Sequence, residues 1–198
     1  MFYTTNVAGI LVIGGYKSAS QSVEFWSPSD PEQGSCVLND YPRQMDNRPT
    51  VDIVSGRLVA CNALTCEIYQ EGSWQHLQDT TVTKIYHSSV TVEDAVLLIG
   101  SHGYTDFTTE WIPLNGSAAQ QLPFLHRHGD RHCSIKINAD VIVVTGGWGS
   151  NDYVTEYQLP YGIETPLTSM GQQRAAHACG VYLGAGGQQV SKMFCSIV

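Results

Sequence analysis

The run Val141-Ile142-Val143-Val144-Thr145-Gly146-Gly147, with Thr155-Glu156-Tyr157-Gln158 shortly behind it, decides the fold. An unbroken apolar run of this length is what a strand buried on both faces carries. It recurs as Leu11-Val12-Ile13-Gly14-Gly15 and Val96-Leu97-Leu98-Ile99-Gly100, with a worn copy at Leu58-Val59-Ala60-Cys61-Asn62. The segment behind it recurs as well, as Val23-Glu24-Phe25-Trp26, Cys66-Glu67-Ile68-Tyr69 and Thr109-Glu110-Trp111-Ile112. Its four glutamates (Glu24, Glu67, Glu110 and Glu156) stand 43, 43 and 46 residues apart. His87, His132 and His177 keep the same beat, 45 and 45 apart, each followed by two small residues. Three landmarks on one period mark a repeat protein.

Each unit parses into four short strands. In the third, His87 to Val92 is rich in β-branched residues, Val92-Glu93-Asp94 supplies a turn, and Val96 to Ile99 is the buried run. Thr108 to Leu114 follows as a third strand, Asn115-Gly116 is a hairpin signal, and Gln120 to Pro123 makes a weaker outer strand. A helical repeat of similar length is excluded, because no segment keeps helical periodicity over ten residues without Gly or Pro. Four antiparallel strands per unit describe a blade of a β-propeller. The expected fold is therefore all-β, a single propeller over 1–198 with about four four-stranded blades plus a partial fifth. The blades fall near 1–46, 47–83, 84–129, 130–173 and, incomplete, 174–198.

The glycine pairs Gly14-Gly15 and Gly146-Gly147, the aromatics Tyr69 and Trp74, and the stretch Arg174-Ala175-Ala176-His177 resemble the kelch-repeat family. WD repeats offer no match, since the chain has no Trp-Asp dipeptide. The resemblance covers nearly the whole chain, with divergent copies: the glycine pair is lost at Cys61-Asn62 and halved at Gly100-Ser101, and Pro49 replaces the periodic histidine. The resemblance implies six or seven blades, so the chain reads as a fragment of a larger propeller. An open propeller would expose strand edges and tend to self-associate.

Composition narrows the rest. Only 14% of the 198 residues are charged, against 42% hydrophobic, and disordered chains show the opposite balance. The longest apolar run, Val7 to Tyr16, has ten residues, short of the roughly 18 that a membrane helix needs. A net charge of −8 argues against nucleic acid as a partner. No signal peptide is recognisable, and extracellular and cytoplasmic settings both fit.

Glycine at the end of the second strand is expected to let neighbouring backbones approach, and the aromatics to fill the wedge between blades. The recurring glutamate is expected to clip blade to blade, or else to face outward. His126, His128, Asp130 and His132 would share one face of an extended segment and could hold zinc or copper, but a solvated connection between blades is the preferred reading. No cofactor is expected. Six cysteines permit disulfides, with Cys61-x4-Cys66 spanning a hairpin, while Cys133 and Cys179 read as small buried core residues. One glycosylation sequon, Asn115-Gly116-Ser117, sits at an exposed turn.

No catalytic motif is present, so the expected function is non-catalytic: a protein–protein interaction module reading a protein or peptide through its loops. Tyr16, Lys17, Tyr104, Asp106, Trp148, Asn151 and Asp152 supply aromatic anchors among polar neighbours. The alternative is a galactose-oxidase-like copper enzyme, or a carbohydrate-binding propeller.

Overall fold

A computed structural model describes residues 10–13, 21–26, 35–43, 49–101, 108–122, 128, 130–149, 152–179 and 196–197. Every regular element among them is a β-strand. β1 (Ile10–Ile13), β2 (Val23–Trp26) and β3 (Ser35–Val37) form a three-stranded sheet. β4 (Thr50–Val54), β5 (Arg57–Cys61), β6 (Thr65–Gln70) and β7 (Ser73–Asp79) form the first of three four-stranded sheets. The second holds β8 (Ser88–Val92), β9 (Ala95–Ile99), β10 (Thr109–Pro113) and β11 (Gln120–Leu122). The third holds β12 (Cys133–Lys136), β13 (Val141–Thr145), β14 (Val154–Gln158) and β15 (Ile163–Pro166). β16 (His177–Ala178) pairs with β17 (Ser196–Ile197). All pairings among these strands are antiparallel and join strands that follow one another in sequence.

The strands of the third unit lie where the sequence places them, within a residue or two. One local expectation changes. Asn115-Gly116 does not close a two-residue hairpin: Trp111 faces Gln120, so a longer connection joins β10 to β11. Tight turns occur instead at Ser55-Gly56 and Glu71-Gly72, where both residues have positive φ, as the right-handed twist of a hairpin favours.

Alternation along β9 explains how the sheets stack. Val96 and Leu98 join Val54, Val59, Ile68 and Ile112 in one buried cluster with the preceding sheet. Leu97 and Ile99 point the other way, into a cluster with Ile142, Val144 and Tyr157 of the next sheet. All five residues of β9 are buried, as a doubly covered strand requires. Each such Leu or Ile contributes about 1.5–3 kcal/mol of burial. A smaller cluster of Val23, Tyr41 and Ala60, flanked by Trp74, joins the first sheet to the second. Contacts between neighbouring sheets are richest at their first strands, β4 with β8 and β8 with β12. The sheets thus converge on their first strands.

Candidate recognition face

Antiparallel order puts the β7–β8, β11–β12 and β15–β16 connections at the same end of the stack as β13–β14. Hairpin turns occupy the opposite end, where Ser55 of one sheet donates to Asp94 of the next. At the connection end, Tyr86, Arg131 and Ala176 share a left-handed backbone with φ of 56° each, and each precedes a periodic histidine. Arg131 N–H donates to the Tyr86 carbonyl at 3.0 Å, and Ala176 N–H to the Arg131 carbonyl at 2.7 Å. One unit therefore hands a main-chain hydrogen bond to the next.

The glycine pair fits into this line. Gly146 has φ +63°, and a Cβ there would stand 2.3 Å from the Arg174 carbonyl oxygen and 2.5 Å from the His177 ring. No side chain fits that gap. The chain continues by donating from Gly147 N–H to the Arg174 carbonyl at 3.0 Å and from Trp148 N–H to the Asp130 carbonyl at 2.9 Å. Gly100 also has positive φ. Gly14 and Gly15 lie outside the described residues.

The three histidines are buried seam groups. His87 Nδ1 lies 2.8 Å from the Lys84 carbonyl, which can only accept, so Nδ1 carries the proton. Nε2 is then the acceptor for the Thr50 hydroxyl at 3.1 Å, across to the preceding sheet. Burial first, and nearby Lys84 as well, lower the His87 pKa to about 4, although its bond to the Lys84 carbonyl works the other way. His132 Nε2 meets Ser88 Oγ at 2.7 Å and His177 Nε2 meets Thr145 Oγ1 at 2.9 Å. Burial, with Arg174 nearby, holds His177 below its usual value.

Two of the recurring glutamates are clasped by the connection leading into their own sheet. Glu67 accepts from Arg43 Nε at 3.2 Å and from Thr65 Oγ1 at 2.8 Å. Glu110 accepts from Thr81 N–H at 2.6 Å and from the Thr81 hydroxyl, with Lys84 Nζ 3.9 Å from its second oxygen. Glu24 and Glu156 are half-buried. Tyr69 packs edge-on against Trp74, whose indole N–H donates to the Asn39 carbonyl at 3.0 Å. Tyr41, which the sequence reading passed over, packs on the same indole and is fully buried.

His126 lies outside the described residues. His128, Asp130 and His132 are buried, each at most 5% exposed, so these three side chains are not solvated as the connection was expected to be. The His128 Nδ1–H donates to the Gly146 carbonyl and Nε2 accepts from the Thr155 hydroxyl, both at 2.8 Å. Neither nitrogen is left to bind a metal. Among the described residues no three His, Cys, Asp or Glu side chains are grouped to hold one.

Cys61 and Cys66 face each other across β5 and β6 and are joined by a disulfide. Cys133 and Cys179, expected to be core residues, are instead half-buried and bonded to each other, with Cα atoms 6.0 Å apart. Convergence of the first strands brings these positions together. The Ser88–Ser134 hydroxyl contact joins the equivalent pair one unit earlier, also 46 residues apart.

Of the expected loop anchors, Tyr16, Lys17, Tyr104, Asp106 and Asn151 lie outside the described residues. Asp152 is half-buried, and its carbonyl accepts from Met170 N–H. Trp148 is 60% exposed, and the Arg131 guanidinium lies 5.1 Å from its ring centroid and 4.5 Å from that of Tyr86. Tyr86 and Arg131 went unnoticed in the sequence, although their place just before a periodic histidine marks them. Tyr153, nearby in the chain, is 41% exposed. No helix among the described residues is long and apolar enough to cross a membrane. No protein-family model and no curated protein matches this sequence.

Proposed function

We propose that the chain is built of kelch-type β-propeller blades and acts as a non-catalytic module that binds a protein or peptide. The period, the glycine pair and the convergence of the sheets on their first strands support the propeller reading. The observation that carries the function is the exposed indole of Trp148, braced by Arg131 against Tyr86 at the connection end of the stack. Trp, Tyr and Arg are the residue types that dominate binding energy at protein interfaces. A guanidinium between two rings is held in place before a partner arrives, so less side-chain entropy is lost on binding.

Panning the immobilised protein against a displayed peptide library tests the reading. Enriched peptides should lose about tenfold or more in affinity on Trp148→Ala, equivalent to about 1.4 kcal/mol. The unfolding midpoint should hardly move, because the indole is exposed. Failure to enrich any peptide above an unrelated control, or binding indifferent to Trp148→Ala, would overturn it.

A further inference from the structure

We propose that Asn115 is an acceptor for an N-linked oligosaccharide, placed at the end of the stack opposite Trp148 and Arg131. Asn115-Gly116-Ser117 is the only stretch of the sequence with Asn, a residue other than Pro, and then Ser or Thr. All three residues are exposed in the β10–β11 connection. Ser117 N–H donates to Asn115 Oδ1 at 2.9 Å, a turn that engages the carboxamide oxygen. Among the described residues the carboxamide nitrogen, the atom that would carry the sugar, has no hydrogen-bond partner. A Cβ built on Gly116 would meet nothing within 4 Å, so the turn is open on that side.

The cysteines supply an independent observation. Two disulfides, Cys61–Cys66 and Cys133–Cys179, belong to an oxidising compartment, and N-glycosylation takes place on the secretory route. In the transfer, Asn115 Nδ2 attacks C1 of an oligosaccharide carried on a lipid pyrophosphate. The N–C1 bond forms, the C1–O bond to pyrophosphate breaks, an amide proton passes to the transferring enzyme's base, and the lipid pyrophosphate leaves. A sugar at this hairpin end would leave the connection end uncovered.

The chain carries its own control. Asn138 makes the same turn, accepting from Asp140 N–H at 2.9 Å, and is equally exposed, but its third residue has no hydroxyl. The test is expression of the full chain behind a cleavable secretory leader in eukaryotic cells, with peptide mass mapping of protein from cell extract and medium together. Asn115 should carry a glycan that an amide-cleaving glycosidase removes, leaving Asp at that position, and Asn138 should stay unmodified. Asn115→Gln and, separately, Ser117→Ala should abolish the mass shift, whereas Ser117→Thr should keep it. Unmodified Asn115 in protein whose two disulfides have formed would overturn the proposal. So would a mass shift that survives both Asn115→Gln and Ser117→Ala.

Discussion

Glu67 and Glu110 hold the same position on the third strand of adjacent sheets, β6 and β10, and both side chains are buried. Their basic partners differ. Arg43 reaches Glu67 from a side chain that is 53% exposed, whereas Lys84 is as fully buried as Glu110. The exposed guanidinium sheds little hydration, and the buried Glu67 keeps the Thr65 hydroxyl at 2.8 Å and His76 Nδ1 at 3.7 Å when Arg43 is removed, so this clasp is the weaker one. A buried ammonium has lost its water and depends on what the protein offers in return: the Thr108 carbonyl and hydroxyl, and the Glu110 carboxylate at 3.9 Å. One repeat position thus supports a peripheral tie in one sheet and an obligatory one in the next.

The sharpest way to break this contrast is Lys84→Met. It leaves Glu110 buried without a cation and should cost about 3–5 kcal/mol in urea unfolding. The double variant Lys84→Met/Glu110→Leu should recover most of the loss, since an apolar pair of similar volume is often neutral or better. If the single variant costs no more than loss of Arg43 does, burial is not what separates the two sites.

Acid offers the next largest effect, through His87 on the same connection as Lys84. Burial lowers its pKa from the usual 6.5 to about 4, so between those values the unfolded chain binds the extra proton. Stability should be complete above about pH 6.5, fall as pH drops toward 4 by roughly 3 kcal/mol from this group, and change no further below that. Asp52, whose carboxyl burial pushes upward despite bonds from Ser89 and Thr91, gives a slope of opposite sign where it titrates. Unfolding midpoints measured across this window should flatten in His87→Gln. An unchanged profile would mean that the seam histidine does not set the acid limit.

The smallest effect is expected at the exposed clasp. Arg43→Ala should cost clearly less than Lys84→Met, because the Thr65 hydroxyl and His76 stay with Glu67, and the loss should shrink as salt is raised. Parallel urea titrations at low and high ionic strength would show it. A cost as large as that of Lys84→Met would make the two clasps alike.

The all-β character, the strand boundaries of the third unit and the role of Gly146 were legible in sequence, because apolar runs and special backbone angles restrict residue choice locally. Lys84 and Arg43 were not, since they sit in connections with no hydrophobic period and act on glutamates more than 20 residues away. His128 misled for a related reason. Its bonds to Gly146 and Thr155 arise only when two connections meet, and the same imidazole reads in sequence as a possible ligand. The Cys133–Cys179 bond had a usable signal, the 46-residue offset between positions that first strands bring side by side. It was masked by reading equivalent cysteines as equivalent core residues. Of the candidate recognition face, Trp148 was anticipated, while the Arg131 brace depends on stacking across two units.

The Tyr86, Arg131 and Ala176 line has a consequence for how such a chain can evolve. Tyrosine, arginine and alanine share nothing as side chains, yet each takes φ of 56°, and the bonds from one to the next use only peptide groups. Alignment of neighbouring units is thereby indifferent to the identity of the residue that keeps it. The side chains at this end are free to drift toward new partners, at the modest cost of a left-handed residue, while the scaffold stays in step.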